Sequence, residues 1–199
     1  IRLIKPSNAP TTNDHVWGFW SDPILADAQQ LARATWQKWA IITHDDCAVL
    51  SSETRPYNAF KRSDWSEHCK GLAELSKVTI VAEHEWEKSA DSLLFDTRPP
   101  VVPNDCMLQH FQGIEVKTKQ PCFDKDMAIL MDFRVDQSKG MHFIYLLPYS
   151  TTEALVESTL FSTELVDEEF YSTSIESYLK EHCKVCLLYT SPSPRDGRI

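Results

Sequence analysis

The stretch MAILMDFRVDQSKGMHFIYLLPYSTTEALVESTLFS, residues 127–162, decides the fold. Its pattern predicts three successive β-strands at about 127–135, 141–147 and 153–161. Gly140 closes the first turn because it can adopt a positive φ angle, and Pro148 begins the second turn. The middle strand is apolar at nearly every position, so we expect it to be central in a sheet and covered on both faces.

The outer two strands carry carboxylates whose faces can be read from strict alternation. In the first strand, Asp132 and Arg134 lie on the face opposite the apolar residues Met127, Ile129 and Met131. In the third strand, Glu157 shares its face with Leu155, Thr159 and Phe161. Glu157 is therefore a carboxylate on a largely apolar face, which makes it a candidate functional residue.

Three motifs within this stretch resemble those of the lycopene cyclase family of flavoproteins. They are MDFR at 131–134, FIYLLPYS at 143–150 and ALVESTLFS at 154–162. Upstream, NDHVWGFW at 13–20, FDTR at 95–98 and FQGIEV at 111–116 resemble further signatures of that family. The resemblance covers about residues 1–182 of the 199-residue chain.

The resemblance implies an α/β (α+β) fold, in which part of an FAD-binding Rossmann-like domain precedes an antiparallel substrate sheet, as in aromatic-hydroxylase-like flavoproteins. We predict the first part at 1–98 and the sheet with its following helix at 99–184. Residues 185–199 are predicted to be a non-native tail, because LLYTSPSPRDGRI looks like a translated sequencing adaptor. The chain is expected to be a fragment that lacks both ends, so no cofactor-binding residue is assigned.

The same resemblance implies cyclisation of the ends of lycopene to ionone rings, with FAD and NAD(P)H as cofactors. Glu157 is the predicted acid–base residue, since burial of a carboxyl raises its pKa and keeps it protonated near neutral pH. Asp132 is the second catalytic candidate. The next acid of the family motif is replaced here by Ser158. The predicted substrate-binding residues are Trp17, Phe19, Trp20, Tyr145 and Phe161.

Charge and composition exclude several other functions. The net charge of −9 argues against a nucleic-acid partner. No apolar run is long enough to span a membrane, so contact with the lipid that dissolves a carotenoid is expected to be peripheral, from the cytoplasm. The histidines and the six cysteines have no spacing typical of a metal site or a disulfide framework.

Simpler interpretations compete with these predictions. Glu157 could face solvent or pair with an arginine, Asp132 could form a salt bridge with Arg134, and the aromatic residues near Trp17 could be plain core. Another flavin enzyme, such as an aromatic hydroxylase or a prenyl-chain reductase, would share the architecture. A non-enzymatic lipid-binding module is a further alternative. The remaining elements are predicted as helices at 23–39, 64–75 and 172–182, a strand pair at 39–50, and short strands at 1–4, 77–82 and 92–96.

Overall fold

A computed structural model of the chain describes residues 1–7, 14–87, 93–98, 103, 106–183 and the backbone of 187–192. Its strands are β1 (Arg2–Lys5), β2 (Val16–Trp20), β3 (Ala34–Trp36), β4 (Lys38–Ile42), β5 (Cys47–Ser51), β6 (Tyr57–Lys61), β7 (Thr79–Ala82), β8 (Leu108–Thr118), β9 (Met127–Asp132), β10 (Met141–Pro148), β11 (Glu153–Ser162) and β12 (Leu187–Pro192). Its helices are α1 (Ala26–Gln30), α2 (Arg62–Leu75) and α3 (Glu168–His182), with 3₁₀ turns at Pro23–Leu25 and Glu83–Glu85. The fold is therefore mixed α/β.

A seven-stranded sheet dominates the structure, in the order β12-β8-β11-β10-β9-β4-β5. Its neighbours are antiparallel except for β4 and β9, which run parallel. A three-stranded antiparallel sheet has the order β2-β6-β3. The strands β1 and β7 form a separate parallel pair. Since β4 and β5 join the large sheet, that sheet draws on residues from both sides of the predicted boundary at 98/99.

The three predicted consecutive strands are confirmed as β9, β10 and β11. Gly140 closes the first hairpin with a φ of 142°, a conformation that favours glycine. The middle strand β10 lies between β9 and β11, as expected from its continuous apolar sequence. Its residues Ile144 and Leu147 are fully buried, one on each face of the sheet.

The large sheet is covered on both faces. The helix α3 packs its residues Ile175, Tyr178 and Leu179 against one face. The three-stranded sheet covers part of the other face, where Trp36 and Ala59 meet residues of β9, β10 and β11. Each fully buried aliphatic side chain in these layers stabilises the fold by about 1.5–3 kcal/mol. The helix α2 follows β6 and packs on the far side of the small sheet, through contact of Trp65 with Phe60.

A β-bulge interrupts β9 and changes the predicted faces. Ile129 pairs with Ala40 of β4 and Leu146 of β10, whereas the next pairs involve Met131 and Asp132, so β9 carries one extra residue relative to both neighbours. Strict alternation placed Asp132 opposite Ile129. The bulge instead turns Asp132 to the side of α3, together with Ile129, and this corrects the predicted face.

Several predicted elements differ in the structure. The predicted helix at 23–39 is wrong beyond Gln30, because β3 and β4 occupy Ala34–Trp36 and Lys38–Ile42. These segments pair with β6 and β9, and tertiary pairing outweighs weak helical spacing. No strand forms at 93–96, the described part of the predicted strand at 92–96. The other helices begin earlier than predicted, at Arg62 and Glu168.

The structure pairs Leu187–Pro192 with β8 as β12, where the sequence predicted no element, while 193–199 lie outside the described residues. Among the helices in the described ranges, each is too short or too polar to cross a membrane.

Candidate active site

Glu157 lies in the middle of β11, on the face that looks toward the three-stranded sheet. Its cross-strand partners are Tyr145 on β10 and Gly113 on β8. Leu155, two residues before it, is buried in the cluster that joins the two sheets. Glu157 as a whole residue is only partly exposed to solvent. The apolar face of β11 that alternation predicted is thus present, and the three-stranded sheet covers it.

The electrostatics of Glu157 favour its protonated form. Burial raises the pKa of Glu157 to about 7, and the hydroxyl of Thr159 acts in the opposite direction by donating a 3.0 Å hydrogen bond to Oε1. Within the described residues, Thr159 is the hydrogen-bond partner of this carboxyl and no cation pairs with it. The second oxygen, Oε2, accepts no hydrogen bond from the described residues, so it is available to carry the proton of the acid form.

Gly113 makes room for this carboxyl. A Cβ atom at Gly113 would lie 3.3 Å from Cδ1 of Leu155 and 3.5 Å from Oε2 of Glu157. A methyl group at this position in β8 would already be tight against Leu155 and in van der Waals contact with the carboxyl of Glu157. The glycine of the FQGIEV motif thus has a steric function at the site, which the sequence analysis did not assign.

A pair of tyrosines lies beside Glu157. The hydroxyls of Tyr57 on β6 and Tyr145 on β10 are hydrogen-bonded at 2.8 Å, and this bond links the two sheets. Burial raises the pKa of both phenols, and the nearby charge of Glu157 acts in the same direction. Gly18 of β2 closes over the pair, because a Cβ there would overlap the Tyr57 hydroxyl and lie 2.7 Å from that of Tyr145.

A third tyrosine, Tyr149, follows β10 and belongs to an assembly with two charged residues. The guanidinium of Arg33 lies 3.8 Å from the centroid of the Tyr149 ring. Arg33 also donates to both carboxylate oxygens of Glu115, at 2.5 and 3.2 Å. Sequence reasoning missed Tyr57, Tyr149, Arg33 and Glu115. One signal was available for Glu115, which alternation places on the face of Gly113.

The predicted substrate-binding aromatics separate into two groups. Tyr145 and Phe161 share the face of Glu157, and Trp20 contacts Tyr57 at a ring distance of 4.8 Å. Trp17 and Phe19 instead pack against Phe60, at 6.0 and 5.2 Å, on the side of the small sheet that faces α2. The structure therefore places Tyr145 opposite Glu157 and Phe161 on the same face, and it connects Trp20 to this region through Tyr57. Trp17 and Phe19 lie on the other side of the small sheet.

Asp132 lies on the opposite face of the large sheet from Glu157. It is fully buried and accepts hydrogen bonds from Nε and Nη2 of Arg134, at 2.9 and 2.6 Å, and from the hydroxyl of Tyr178 at 2.7 Å. Burial opposes ionisation of Asp132, but the bonds from Arg134 and Tyr178 outweigh it and hold the pKa below its usual value. The salt bridge between Asp132 and Arg134, which was the alternative to a catalytic role, is present. Asp132 and Glu157 therefore do not share one site.

Ser158 also faces away from Glu157, toward α3. Nδ1 of His142 lies 2.8 Å from the carbonyl oxygen of Asp136, so this nitrogen must donate. The other nitrogen, Nε2, accepts from the Ser158 hydroxyl at 2.7 Å, and burial lowers the pKa of His142, which favours this neutral form. The family motif carries its second acid at the position of Ser158. In this chain, that position forms a buried hydrogen bond with His142.

Comparison with known proteins agrees with the motifs that surround this site. The family described as "Lycopene cyclase protein" matches residues 1–189. The chain belongs to the lycopene cyclase family. Its match to a lycopene beta-cyclase of Paracoccus sp. is 43% identical over 54 residues, which is 27% of this chain and 14% of that protein.

The fold is similar to that of a solved reductase-like protein. A geranylgeranyl bacteriochlorophyll reductase-like protein of Thermoplasma acidophilum superposes with a TM-score of 0.52 at 12% identity. The match covers 94% of this chain and 56% of that structure, so the chain spans little more than half the length of its structural relative. At this level of identity, the likeness shows the fold alone.

Proposed function

We propose that the protein that contains this chain cyclises the ends of a linear carotenoid such as lycopene, with Glu157 as the acid–base residue. The observation that carries the proposal is a carboxyl without a cationic partner among the described residues, whose pKa burial raises to about 7. Such a group is a proton donor near neutral pH, and a general acid works best when its pKa lies close to the working pH.

The reaction follows from the position of that proton. Oε2 of Glu157 gives its proton to a carbon of the terminal double bond, whose π electrons form the new C–H bond and leave a tertiary cation. A neighbouring double bond attacks the cation and closes the ring. Loss of a proton from the ring then restores a double bond, and the carboxylate can take that proton back. The product is an isomer of the substrate, so the activity is that of an isomerase.

The residues around Glu157 suit the remaining needs of this chemistry. The rings of Tyr145, Tyr57 and Trp20 present electron-rich faces that attract a cation. The overlap of the two sheets at Leu155 and Trp36 limits the access of water to Glu157, which is only partly exposed. Phe161 and Phe143, 6.3 Å apart, extend an apolar surface along the same face for the polyene. Peripheral contact with the membrane that dissolves such a substrate remains part of the proposal.

The cofactors that the family resemblance implies are FAD and NAD(P)H. The parallel pair β1 and β7 is typical of a dinucleotide-binding sheet. The five glycines of the sequence nevertheless form no G-x-G-x-x-G turn. The described residues therefore offer no glycine-rich turn for the flavin phosphates, and no step of the proposed reaction passes through a flavin. Both cofactors remain predictions.

The test is to express the complete protein in cells that accumulate lycopene and to analyse the carotenoids by chromatography and mass spectrometry. A cyclase gives a product of the same mass that absorbs at shorter wavelength, and the cells change from red to orange-yellow. A prenyl-chain reductase instead gives a product heavier by the added hydrogens. Unchanged lycopene, or a heavier product, would refute the proposal.

A further inference from the structure

Three large apolar side chains form a partly exposed surface, the edge patch, where the two sheets meet. They are Trp20 at the end of β2, Trp39 on β4 and Leu50 on the edge strand β5. The rings of Trp20 and Trp39 lie 4.4 Å apart, and Leu50 is the cross-strand partner of Trp39. Trp20 remains 41% exposed and Leu50 48% exposed. Large apolar side chains exposed side by side are typical of an interaction surface.

The edge patch is continuous with the candidate active site. The ring of Trp20 contacts that of Tyr57 at 4.8 Å, and the hydroxyl of Tyr57 is hydrogen-bonded to that of Tyr145. Tyr145 is in turn the cross-strand partner of Glu157. An unbroken series of aromatic contacts therefore leads from a solvent-exposed surface to the strand pair that carries the carboxyl.

The charges that flank the edge patch in the sequence balance. Asp22 follows β2, Lys38 begins β4, and Glu53 and Arg55 lie in the loop between β5 and β6. These two acidic and two basic residues cancel, although the whole chain has a net charge of −9. Anionic lipids attract clusters of basic residues, which this surface lacks. A balanced surface instead fits zwitterionic headgroups, which carry both signs above an apolar layer.

Tryptophan suits that boundary between headgroups and hydrocarbon. Its ring is large and apolar and carries one polar N–H, so it is enriched where an apolar layer meets water. The edge patch has two such rings, Trp20 and Trp39, with Leu50 beside them. The chemistry of these side chains therefore matches the surface of a lipid bilayer.

We propose that the edge patch docks the protein on a zwitterionic lipid bilayer, with Trp20, Trp39 and Leu50 inserted among the headgroups. This inference rests on the proposed function, because a linear carotenoid dissolves in lipid and has to pass from the bilayer to Glu157. It names the surface through which peripheral membrane contact is made. Docking at the edge patch places the aromatic series that leads to Glu157 next to the lipid that holds the substrate.

The test is to measure binding of the 199-residue chain to phosphatidylcholine vesicles by co-sedimentation. Trp20→Ser is expected to weaken this binding about tenfold, because an inserted aromatic side chain is lost. Trp17→Ser is the matched control, since Trp17 lies on the same strand and is 40% exposed but packs on the other face of β2. That variant should bind like the wild type. Equal losses in both variants, or a wild-type chain that does not bind, would overturn the inference.

A second matched pair lies on β5 and keeps the test valid if Trp20→Ser lowers stability. Leu50→Asp puts a charge into the edge patch and should abolish vesicle binding. Val49→Asp puts the same charge on the neighbouring residue, which is 55% exposed on the opposite face of the strand, and should retain binding. Melting temperatures of all four variants show that each is folded. Loss of binding in Val49→Asp as well would contradict the proposal.

Salt and self-association exclude other kinds of contact. Because the flanking charges balance, binding should change little between low and high salt, and a steep loss with salt would refute insertion. Sedimentation velocity without lipid should give the same state for the wild type and Leu50→Asp. A wild-type dimer that Leu50→Asp converts to a monomer would make the edge patch an interface between two copies. If Leu50→Asp has no effect on vesicle binding by the complete protein, another segment covers the patch. Either result overturns the inference.

Conversion of lycopene by the complete protein separates this inference from the proposed function. If both hold, Leu50→Asp lowers conversion of lycopene supplied in vesicles, in proportion to its loss of binding, and leaves conversion of detergent-dispersed lycopene unchanged. If the variants change vesicle binding as expected but the wild type converts no lycopene from either source, the proposed function fails and the docking surface stands. If detergent-dispersed lycopene is converted and the wild type does not bind vesicles, the docking surface fails alone.

Discussion

Adjacent residues of β11 face two different environments. On the α3 side, Ser158 pairs with His142, and Asp132 is bound by Arg134 and Tyr178, so these buried polar groups are satisfied. On the other side, Glu157 has one hydrogen bond, from Thr159, and no cation beside it within the described residues. Both faces of the sheet are apolar around these groups. Asp132 has a cationic partner, whereas Glu157 has none within the described residues.

This difference distinguishes Asp132, a carboxylate with a structural function, from Glu157, a candidate catalytic residue. Arg134 and Tyr178 hold Asp132 ionised, with its pKa below the usual value. Burial without a cation has the opposite effect on Glu157, whose pKa rises to about 7. A fold gains little from a buried carboxyl that lacks a partner, so its presence points to chemistry.

The largest effect is expected from Glu157→Gln. Glutamine keeps the shape and the acceptor for Thr159 but carries no transferable proton, so lycopene conversion by the complete protein should fall at least about 10³-fold. The measurement is the initial rate of product formation. Glu153→Gln, an exposed member of the same strand that pairs with Lys117, is the matched control and should retain activity. Retained activity in Glu157→Gln would exclude the acid–base role.

On the other face, Asp132→Ala should mainly affect stability. Removing one partner of a buried ion pair costs about 3–5 kcal/mol, and the low end applies here because Arg134 can reach solvent. Denaturant unfolding of the chain measures the loss, and the pKa of Glu157 should not change. The opposite result, full stability with lost cyclase activity, would restore Asp132 as a catalytic residue.

The two carboxyls should also give opposite pH dependences of stability. The folded-state pKa of Glu157, about 7, lies above its ordinary value of 4.5, so its contribution is complete below pH 4.5 and is lost as pH rises through 7. Relative to Glu157→Gln, the wild-type chain should lose about 3 kcal/mol across this window. Asp132, with its lowered pKa, contributes above its ordinary value of 3.8 and loses this contribution as pH falls below it.

Unfolding curves of the wild type and Glu157→Gln at several pH values measure the first effect, and those of Asp132→Ala measure the second. If the free energies of unfolding of the wild type and Glu157→Gln change in parallel between pH 4.5 and 7, the pKa of Glu157 is not raised in the folded state.

The smallest effect is expected from Ser158→Ala. This change leaves Nε2 of His142 without its hydroxyl donor, which should cost about 1 kcal/mol of stability. Since Ser158 faces α3, lycopene conversion should be unaffected. Thermal unfolding and product analysis check both expectations. A loss of conversion comparable to that of Glu157→Gln would show that the second position of the motif acts in the reaction after all.

Much of the candidate site could be predicted from local sequence pattern. Glu157 was found because alternation placed it among Leu155, Thr159 and Phe161, and Tyr145 lies on the neighbouring strand. The partners Tyr57 and Arg33 were missed, because they lie 88 and 82 residues away along the chain from Tyr145 and Glu115. Trp17 and Trp20 looked equivalent in sequence, yet their odd spacing puts them on opposite faces of β2.

The sequence by itself determined the three consecutive strands, the turn at Gly140, the apolar face of Glu157 and the family. These features depend on period-two alternation, turn chemistry and motif order, which are local. The tertiary structure alone decided the rest. The bulge in β9 turned Asp132 toward α3, and pairing with β6 and β9 made strands of residues that had helical spacing. Register and packing between distant segments set these features, and no local pattern encodes them.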